Sequence, residues 1–82
     1  MNYDRDKVDE MVLALLYLVS GDRKVGSGAR AWRGFDANAI NRLHAKGWID
    51  DPKNKATSLH MTEEGFRKAE DLFLKHFGLP EK

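Results

Sequence analysis

Several features that would identify a class of protein are absent from this chain of 82 residues. It has no cysteine, so neither disulfide bonds nor thiolate metal ligands can stabilise it, and hydrophobic packing or self-association must do so instead. A reducing cytoplasm suits such a chain. The longest apolar run, residues 11–19, is shorter than the roughly 20 residues that span a bilayer. Since the first residues also lack the basic segment of a signal peptide, we expect a cytoplasmic protein with no membrane partner.

An excess of charge of one sign is absent as well, because the formal net charge is only +1. The distribution of charge is more informative than this sum. Residues 1–10 hold four acidic and two basic side chains, for a local charge of −2. Residues 21–34 hold four basic side chains and one acidic side chain, for a local charge of +3. A polyanionic partner would therefore be attracted most strongly to residues 21–34.

Three segments have the apolar spacing of helices, at about 5–20, 37–46 and 63–77. Each follows a residue that can cap a helix N-terminus, namely Asp4 or Asp6, Asp36, and Thr62. Gly47 stands where the second helix should end. The side chains predicted to face the core are Val8, Met11, Val12, Leu15 and Val19 in the first helix, Ile40 and Leu43 in the second, and Phe66, Ala69, Phe73 and Phe77 in the third.

The first helix also carries apolar side chains on a second side. Leu13 and Tyr17 project away from the predicted core stripe, so this helix is apolar on nearly every face. An 82-residue monomer can hardly cover two sides of one helix. We therefore predict a homodimer whose interface contains Leu13 and Tyr17.

Turn-forming residues dominate the segments between the helices. Four glycines lie within residues 20–34, which predicts a glycine- and arginine-rich loop over 21–35 with a short strand at 29–33. Residues 48–61 are predicted to form a hairpin, with a turn at 51–54 and with Leu59 and Met61 on one face of the returning strand. No repeat or linker divides the chain, so we expect one domain over residues 1–82.

Two stretches in the second half resemble bacterial winged-helix proteins. They are residues 42–52, with the sequence RLHAKGWIDDP, and residues 59–65, with the sequence LHMTEEG. In winged-helix proteins of this kind a helix ends in Lys-Gly-aromatic-Ile, a hairpin wing follows, and a Thr-Glu-Glu-Gly segment leads into the last helix. Residues 6–10 (DKVDE), 13–18 (LALLYL), 30–36 (RAWRGFD) and 42–44 (RLH) are among those by which the whole chain also resembles a family of small bacterial proteins called domain of unknown function 6429. This second resemblance implies no activity. The resemblance implies a winged-helix-like fold, mainly α with a small β-hairpin wing, in the order helix, loop or strand, helix, hairpin, helix.

The chain departs from the winged-helix pattern before the second helix. The usual plan places two helices and a turn between the first helix and the wing. Residues 21–35 are too rich in glycine to supply the first of these two helices. The helix at 37–46 is therefore expected to lack its usual supporting partner, and a winged-helix-like fold need not imply the usual function.

The winged-helix resemblance makes double-stranded DNA the first partner to consider. The second helix would present Asn38, Asn41 and Arg42 to base edges, because asparagine and arginine pair bidentately with adenine and guanine. The side chains expected to contact phosphates are Arg30, Arg33, Lys53 and Lys55. An ordinary solvated helix face explains the same polar residues. The basic residues of the loop, with Trp32 among them, would suit a phosphate backbone or an unstacked base. The alternative, which we favour, is that Trp32 covers the small core, with the loop arginines paired to acidic residues of the first and third helices.

The sequence contains no recognisable catalytic or cofactor site. The three histidines, His44, His60 and His76, lie on three different predicted elements, without a second metal ligand at short helical spacing. Residues 21–26 have the glycine spacing of a phosphate loop, but Ser27 replaces the lysine that such a loop needs. We therefore expect no enzymatic activity, no metal or cofactor and no small-molecule substrate.

Two functions are consistent with these features. The first is a homodimeric winged-helix-like module that binds nucleic acid. The alternative is a protein-interaction or homo-oligomerisation module that uses the apolar first helix and does not bind nucleic acid.

Overall fold

The computed structural model describes residues 1–32, 34, 36–52 and 58–80, without the side chains of Asp22, Lys24 and Trp32. Within these residues the chain forms three helices and a three-stranded antiparallel sheet. The elements in chain order are α1 (Arg5–Leu18), β1 (Gly21–Lys24), β2 (Gly28–Trp32), α2 (Ala37–Ala45), β3 (Ser58–Met61) and α3 (Glu63–Phe77). The predicted class, mainly α with a small β-hairpin, is confirmed. None of these helices is long and apolar enough to cross a membrane.

The predicted caps begin all three helices. Each cap uses a side-chain oxygen to accept a hydrogen bond from a backbone N–H of the first turn, which has no partner within the helix. The pairs are Asp4 with Lys7 at 3.0 Å, Asp36 with Ala39 at 3.1 Å, and Thr62 with Gly65 at 3.0 Å. Gly47 has a φ of 80° and follows the end of α2, as predicted.

The short strand predicted at 29–33 is present as β2, and the rest of the predicted loop contributes β1, which pairs antiparallel with β2 in a hairpin. Gly28 has a φ of 85°, and a Cβ at this position would lie 1.8 Å from the carbonyl oxygen of Met61. Glycine is therefore required where β2 begins. The glycine content correctly disfavoured a helix, but it is equally compatible with two short strands joined by a turn. In chain order this hairpin stands between α1 and α2, where the usual winged-helix plan has an additional helix.

In the hairpin predicted at 48–61, the returning strand is present as β3, but the first strand is shortened to an isolated bridge. β3 pairs antiparallel with β2, so that Ala31 lies opposite Leu59. Ile49 then forms an isolated antiparallel bridge with Met61. The strand predicted to start at 48–49 is thus a single bridge. Because this bridge is at Ile49 and α2 ends at Ala45, the wing begins directly after α2.

The core lies between the sheet and the helices. Its largest fully buried apolar side chains are Leu13, Leu16, Leu43, Ile49 and Met61. Small side chains complete it, and we refer to them as the buried alanines: Ala14, Ala29, Ala31, Ala39 and Ala69. The inward orientation predicted for Ile40, Leu43, Leu59 and Met61 is confirmed.

Candidate interaction surfaces

The outer side of α2 is the surface predicted to face DNA bases. Asn38 and Asn41 are exposed there, as predicted, and they lie nearly one helical turn apart. His44, which the sequence analysis did not assign to this surface, is exposed on the same helix. This side of α2 is therefore polar but carries no strong positive charge.

Arg42 does not belong to this outer surface. Its Nε donates hydrogen bonds to both carboxylate oxygens of Asp9, at 2.8 and 2.9 Å. Asp9 is completely buried, whereas 25% of the Arg42 side chain is exposed. A buried carboxylate needs such a partner because an unpaired charge in the interior is costly. The outward orientation predicted for Arg42 is therefore wrong, since this side chain ties α2 to α1.

Lys46 completes the same cluster. Its Nζ donates to Asp9 at 2.8 Å and to Asp6 at 3.0 Å. Burial alone would lower the pKa of Lys46, but its hydrogen bonds to Asp9 and Asp6 outweigh burial and raise it. The positive charges on this side of α2 are thus opposed by carboxylates of α1, which weakens the attraction of a phosphate backbone.

Of the other predicted phosphate contacts, the described residue Arg30 lies on a different element from α2. Arg30 is exposed on β2, where it lies opposite His60 of β3. Arg33, Lys53 and Lys55 lie outside the described residues. Of the described members of the predicted set, α2 therefore brings together Asn38 and Asn41.

Arg23 of β1 is held by α3. Its Nη1 and Nη2 donate to the carboxylate of Glu63 at 2.6 and 3.0 Å, and its guanidinium carbon lies 4.1 Å from the centre of the Phe66 ring. Arg67 Nε and the backbone N of Gly28 also donate to Glu63, at 2.9 and 3.2 Å. These hydrogen bonds, that from Arg23 above all, lower the pKa of Glu63 to about 2. For Arg23, the alternative of an ion pair with the third helix is confirmed.

The two side chains predicted at a dimer interface lie within the chain's own fold. Leu13 has no exposed surface. Tyr17 is partly buried against α3, where its hydroxyl donates to Glu70 at 3.1 Å and its ring centre lies 5.4 Å from those of Phe66 and Phe73. Because α3 covers Tyr17 and the core encloses Leu13, the prediction that these two residues form a dimer interface is wrong.

A different apolar side of the two helices is exposed. On α1, Leu15 and Leu18 are 36% and 62% exposed, although Leu15 was predicted to face the core. On α3, Leu74 and Phe77 are 59% and 46% exposed, although Phe77 was also predicted to face the core. We call these four side chains the α1–α3 outer face.

Two members of this set, Leu18 and Leu74, follow residues that meet in the groove between the two helices, whereas Leu15 lies about 160° round α1 from Tyr17 and faces away from α3. Tyr17 and Phe73 meet in this groove, and the Phe77 ring continues the row at 5.3 Å from the Phe73 ring. Leu18 and Leu74 directly follow Tyr17 and Phe73, each 100° further round its helix. They therefore turn from the groove toward solvent.

We also searched the described residues for a metal site. No group of three histidine, cysteine, aspartate or glutamate side chains among them is arranged to hold a metal ion. The candidate surfaces are accordingly the polar side of α2 and the α1–α3 outer face.

Comparison with known proteins identifies the family. The family model described as "Domain of unknown function (DUF6429)" matches residues 4–79. The chain belongs to this family. An uncharacterised protein of Sinorhizobium fredii, y4hR, is 46% identical to this DUF6429 chain over 77 residues, which cover 94% of the chain and 97% of that protein. No solved structure matches the chain at a significant level. Because the DUF6429 description names no activity, the two surfaces described above are the features that bear on function.

Proposed function

We propose that this DUF6429 protein is a self-association module whose working surface is the α1–α3 outer face. The observation that carries the proposal is the exposure of four large apolar side chains, by 36% to 62%, on α1 and α3, two helices that pack against each other through Tyr17. Contiguous exposed apolar patches on monomeric proteins are usually small, and larger ones mark interaction sites. A protein partner would remove this apolar area from water.

A second copy of the chain is the partner that the charges favour. The net charge of +1 gives two copies little mutual repulsion. The exposed side chains of Asp71 and Lys75 lie near Leu74 on α3 and carry charges of both signs, so the surface around Leu74 can be complementary to itself. A domain with such a small core also gains stability from association.

Substitution of the outer face tests this proposal. Leu18→Glu and Leu74→Glu each place a charge in the proposed interface while keeping a residue that suits a helix. We expect each change to weaken dimerisation by about 2 kcal/mol or more, which is roughly thirtyfold in the dissociation constant. Sedimentation equilibrium from low to high micromolar concentration measures this constant, and circular dichroism shows that the variants are folded.

Val25→Glu is the matched control, because Val25 is 88% exposed in the turn between β1 and β2 and belongs to neither α1 nor α3. It should leave the dissociation constant unchanged. A wild-type protein that stays monomeric throughout the concentration range would overturn the proposal, as would a dimer that Leu18→Glu and Leu74→Glu leave intact.

Nucleic-acid binding is a second candidate, favoured by one specific feature. Asn38 and Asn41 are exposed on the helix that directly precedes the wing, which is the position of a recognition helix in winged-helix proteins. The pairing of Arg42 and Lys46 with Asp9 argues against strong electrostatic attraction. We therefore rank this candidate below self-association.

Binding to random double-stranded DNA at about 50 and 200 mM salt tests the second candidate, since phosphate contacts make affinity fall steeply with salt. The double change Asn38→Asp and Asn41→Asp adds two negative charges to the α2 surface and should weaken binding by about tenfold or more. Asn2→Asp, at an exposed position before α1, is the control. Absence of binding at low salt would exclude this function.

A further inference from the structure

We infer that Asp6 of α1 limits the binding of nucleic acid to α2 by holding Lys46 in an intramolecular ion pair. The group that competes with Asp6 for Lys46 is a phosphate of the duplex backbone, which is also an anion. This inference rests on the second candidate above, nucleic-acid binding, and is independent of self-association. Asp6 thereby sets the strength of that binding.

The positive charges of α2 are matched by carboxylates of α1. Between residues 36 and 47 the chain has two lysine or arginine side chains, Arg42 and Lys46. Asp9 accepts hydrogen bonds from Arg42 Nε at 2.8 and 2.9 Å and from Lys46 Nζ at 2.8 Å. Asp6 accepts a further hydrogen bond from Lys46 Nζ at 3.0 Å. Two cations thus face two carboxylates, and their charges cancel at this border of α2.

The two carboxylates have different roles. Asp9 is completely buried, so it needs its cations and ties α1 to α2. The side chain of Asp6 is 86% exposed, and an ion pair exposed to this degree contributes little to stability. Lys46 also remains bound to Asp9 when Asp6 is removed. The fold therefore does not require Asp6, which leaves its effect on the surface charge of α2.

Lys46 lies where a duplex on the polar side of α2 would reach it. Asn38, Arg42 and Lys46 are each four residues apart, so each lies only about 40° further round the helix than the one before. They form a row about 12 Å long at the border between the polar side of α2 and α1. The side chain of Lys46 is 29% exposed in this row. A phosphate that approaches it meets the carboxylate of Asp6 at the same place.

The charge of the row determines how many phosphates α2 can neutralise. Each phosphate that a cation neutralises adds about 0.9 to the slope of the logarithm of affinity against the logarithm of salt concentration. Lys46 makes no such contribution while Asp6 and Asp9 both bind it. Without Asp6, the two cations share one carboxylate, and the row gains a net positive charge that a phosphate can neutralise.

A double-mutant cycle tests this role of Asp6. The four proteins are the wild type, Asp6→Asn, Lys46→Gln and the double variant, and the probe is random double-stranded DNA at about 50 and 200 mM salt. We expect Asp6→Asn to strengthen binding at the lower salt concentration by about threefold or more, and to steepen the salt dependence by up to about one unit of slope. In the Lys46→Gln background the same change should strengthen binding by less than about 1.5-fold, because Asp6 then withholds no cation.

Glu10→Gln is the matched control, because it removes one negative charge from the same helix. Among the described residues Glu10 forms no ion pair, so this change should strengthen binding by less than about 1.5-fold. Circular dichroism shows that the variants are folded. The comparison of Asp6→Asn with Glu10→Gln needs no change at Lys46, so it holds even if Lys46→Gln impairs folding.

The cycle separates the ion pair from a general effect of charge. Equal gains from Asp6→Asn in both backgrounds, or equal gains from Asp6→Asn and Glu10→Gln, would show that Asp6 acts only through overall charge and would overturn the inference. An affinity that Asp6→Asn leaves unchanged would also overturn it. In each of these cases, binding by the wild type that falls with salt leaves the second candidate standing. If neither the wild type nor Asp6→Asn binds at the lower salt concentration, both fail.

Discussion

At the scale of single residues, Asp9 has the largest structural role among the charged side chains of α1. It is fully buried and receives hydrogen bonds from Arg42 and Lys46 of the α2 segment. We expect Asp9→Asn to lower the free energy of unfolding by about 2 to 3 kcal/mol. This is slightly less than the roughly 3 to 5 kcal/mol usual when a buried ion pair is broken, because Arg42 and Lys46 retain access to water. Urea denaturation followed by circular dichroism measures the loss.

Asp6→Asn is the control for Asp9→Asn, because Asp6 also binds Lys46 but its side chain is 86% exposed. The change should cost less than about 0.5 kcal/mol, as is usual for a surface ion pair. Similar losses for the two variants would show that the buried carboxylate has no special role. Arg42→Ala should resemble Asp9→Asn in stability, because Arg42 binds Asp9.

Glu63 makes stability depend on acidity in a defined range. Its pKa is about 2 in the folded protein, against an ordinary value of 4.5 that applies when the chain unfolds. A carboxylate with a lowered pKa contributes stability that is complete above the unfolded value and is lost as the pH falls through the folded value. The contribution of Glu63 should therefore decline from about pH 4.5 to about pH 2.

Unfolding of the wild type and of Glu63→Gln across this pH range measures that contribution. Their difference in unfolding free energy should be constant near neutral pH and should shrink as the pH falls from 4.5 toward 2. Glu64→Gln changes the exposed neighbour in the same helical turn and serves as the control. A difference between wild type and Glu63→Gln that persists unchanged at pH 2 would contradict the assigned interactions.

At the scale of whole elements, the helices could be predicted because their signals are local. Asp4, Asp36 and Thr62 cap their own first turns, and no distant residue is needed to place them. The side of α1 that faces the core could not be predicted in the same way. Its apolar residues occupy several sides, and only the position of α3 over Tyr17 decides that Leu13 is buried and Leu15 is exposed.

The interaction surfaces could likewise be predicted only in part. The exposure of Asn38 and Asn41 follows from the periodicity of α2, whose inward side is unambiguous. The pairing of Arg42 with Asp9 joins residues 33 positions apart, which periodicity cannot reveal. Leu74 and Phe77 are three residues apart on α3, a spacing visible in the sequence, but their exposure depends on where α1 ends against α3.

The beginning of α3 approaches the segment after α2 so closely that a side chain is excluded there. A Cβ at Gly65 would lie 1.8 Å from the carbonyl oxygen of Trp48, which accepts a hydrogen bond from Thr62 N at 3.0 Å. Glycine to alanine inside a helix ordinarily stabilises by about 1 kcal/mol. Here we expect Gly65→Ala to destabilise by at least about 1 kcal/mol, because the backbone must move.

Thermal unfolding of Gly65→Ala tests this contact between elements. Lys68→Ala, at an exposed position of the same helix, shows the effect of alanine without the steric conflict and should change stability by less than about 0.5 kcal/mol. Stabilisation by Gly65→Ala would mean that α3 and the Trp48 segment can separate freely.

At the scale of the whole molecule, self-association links stability to concentration. A dimer that dissociates on unfolding is stabilised by mass action, so its Tm rises with protein concentration. For a chain of this size we expect a rise of roughly 3 to 5 °C per tenfold increase while the dimer predominates. Differential scanning calorimetry of the wild type and of Leu74→Glu measures this, and the variant's Tm should be independent of concentration. A wild-type Tm that is equally independent would contradict association in the folded state.

The buried alanines also determine how the molecule responds to temperature. Where Ala14, Ala29, Ala31, Ala39 and Ala69 lie in the core, the helices and sheet approach each other through methyl groups. Such a core exposes less apolar area on unfolding than one built from larger side chains, and apolar area sets the heat capacity change. We therefore expect a shallow stability curve for this protein, with a free energy of unfolding that changes little over a wide range of temperature.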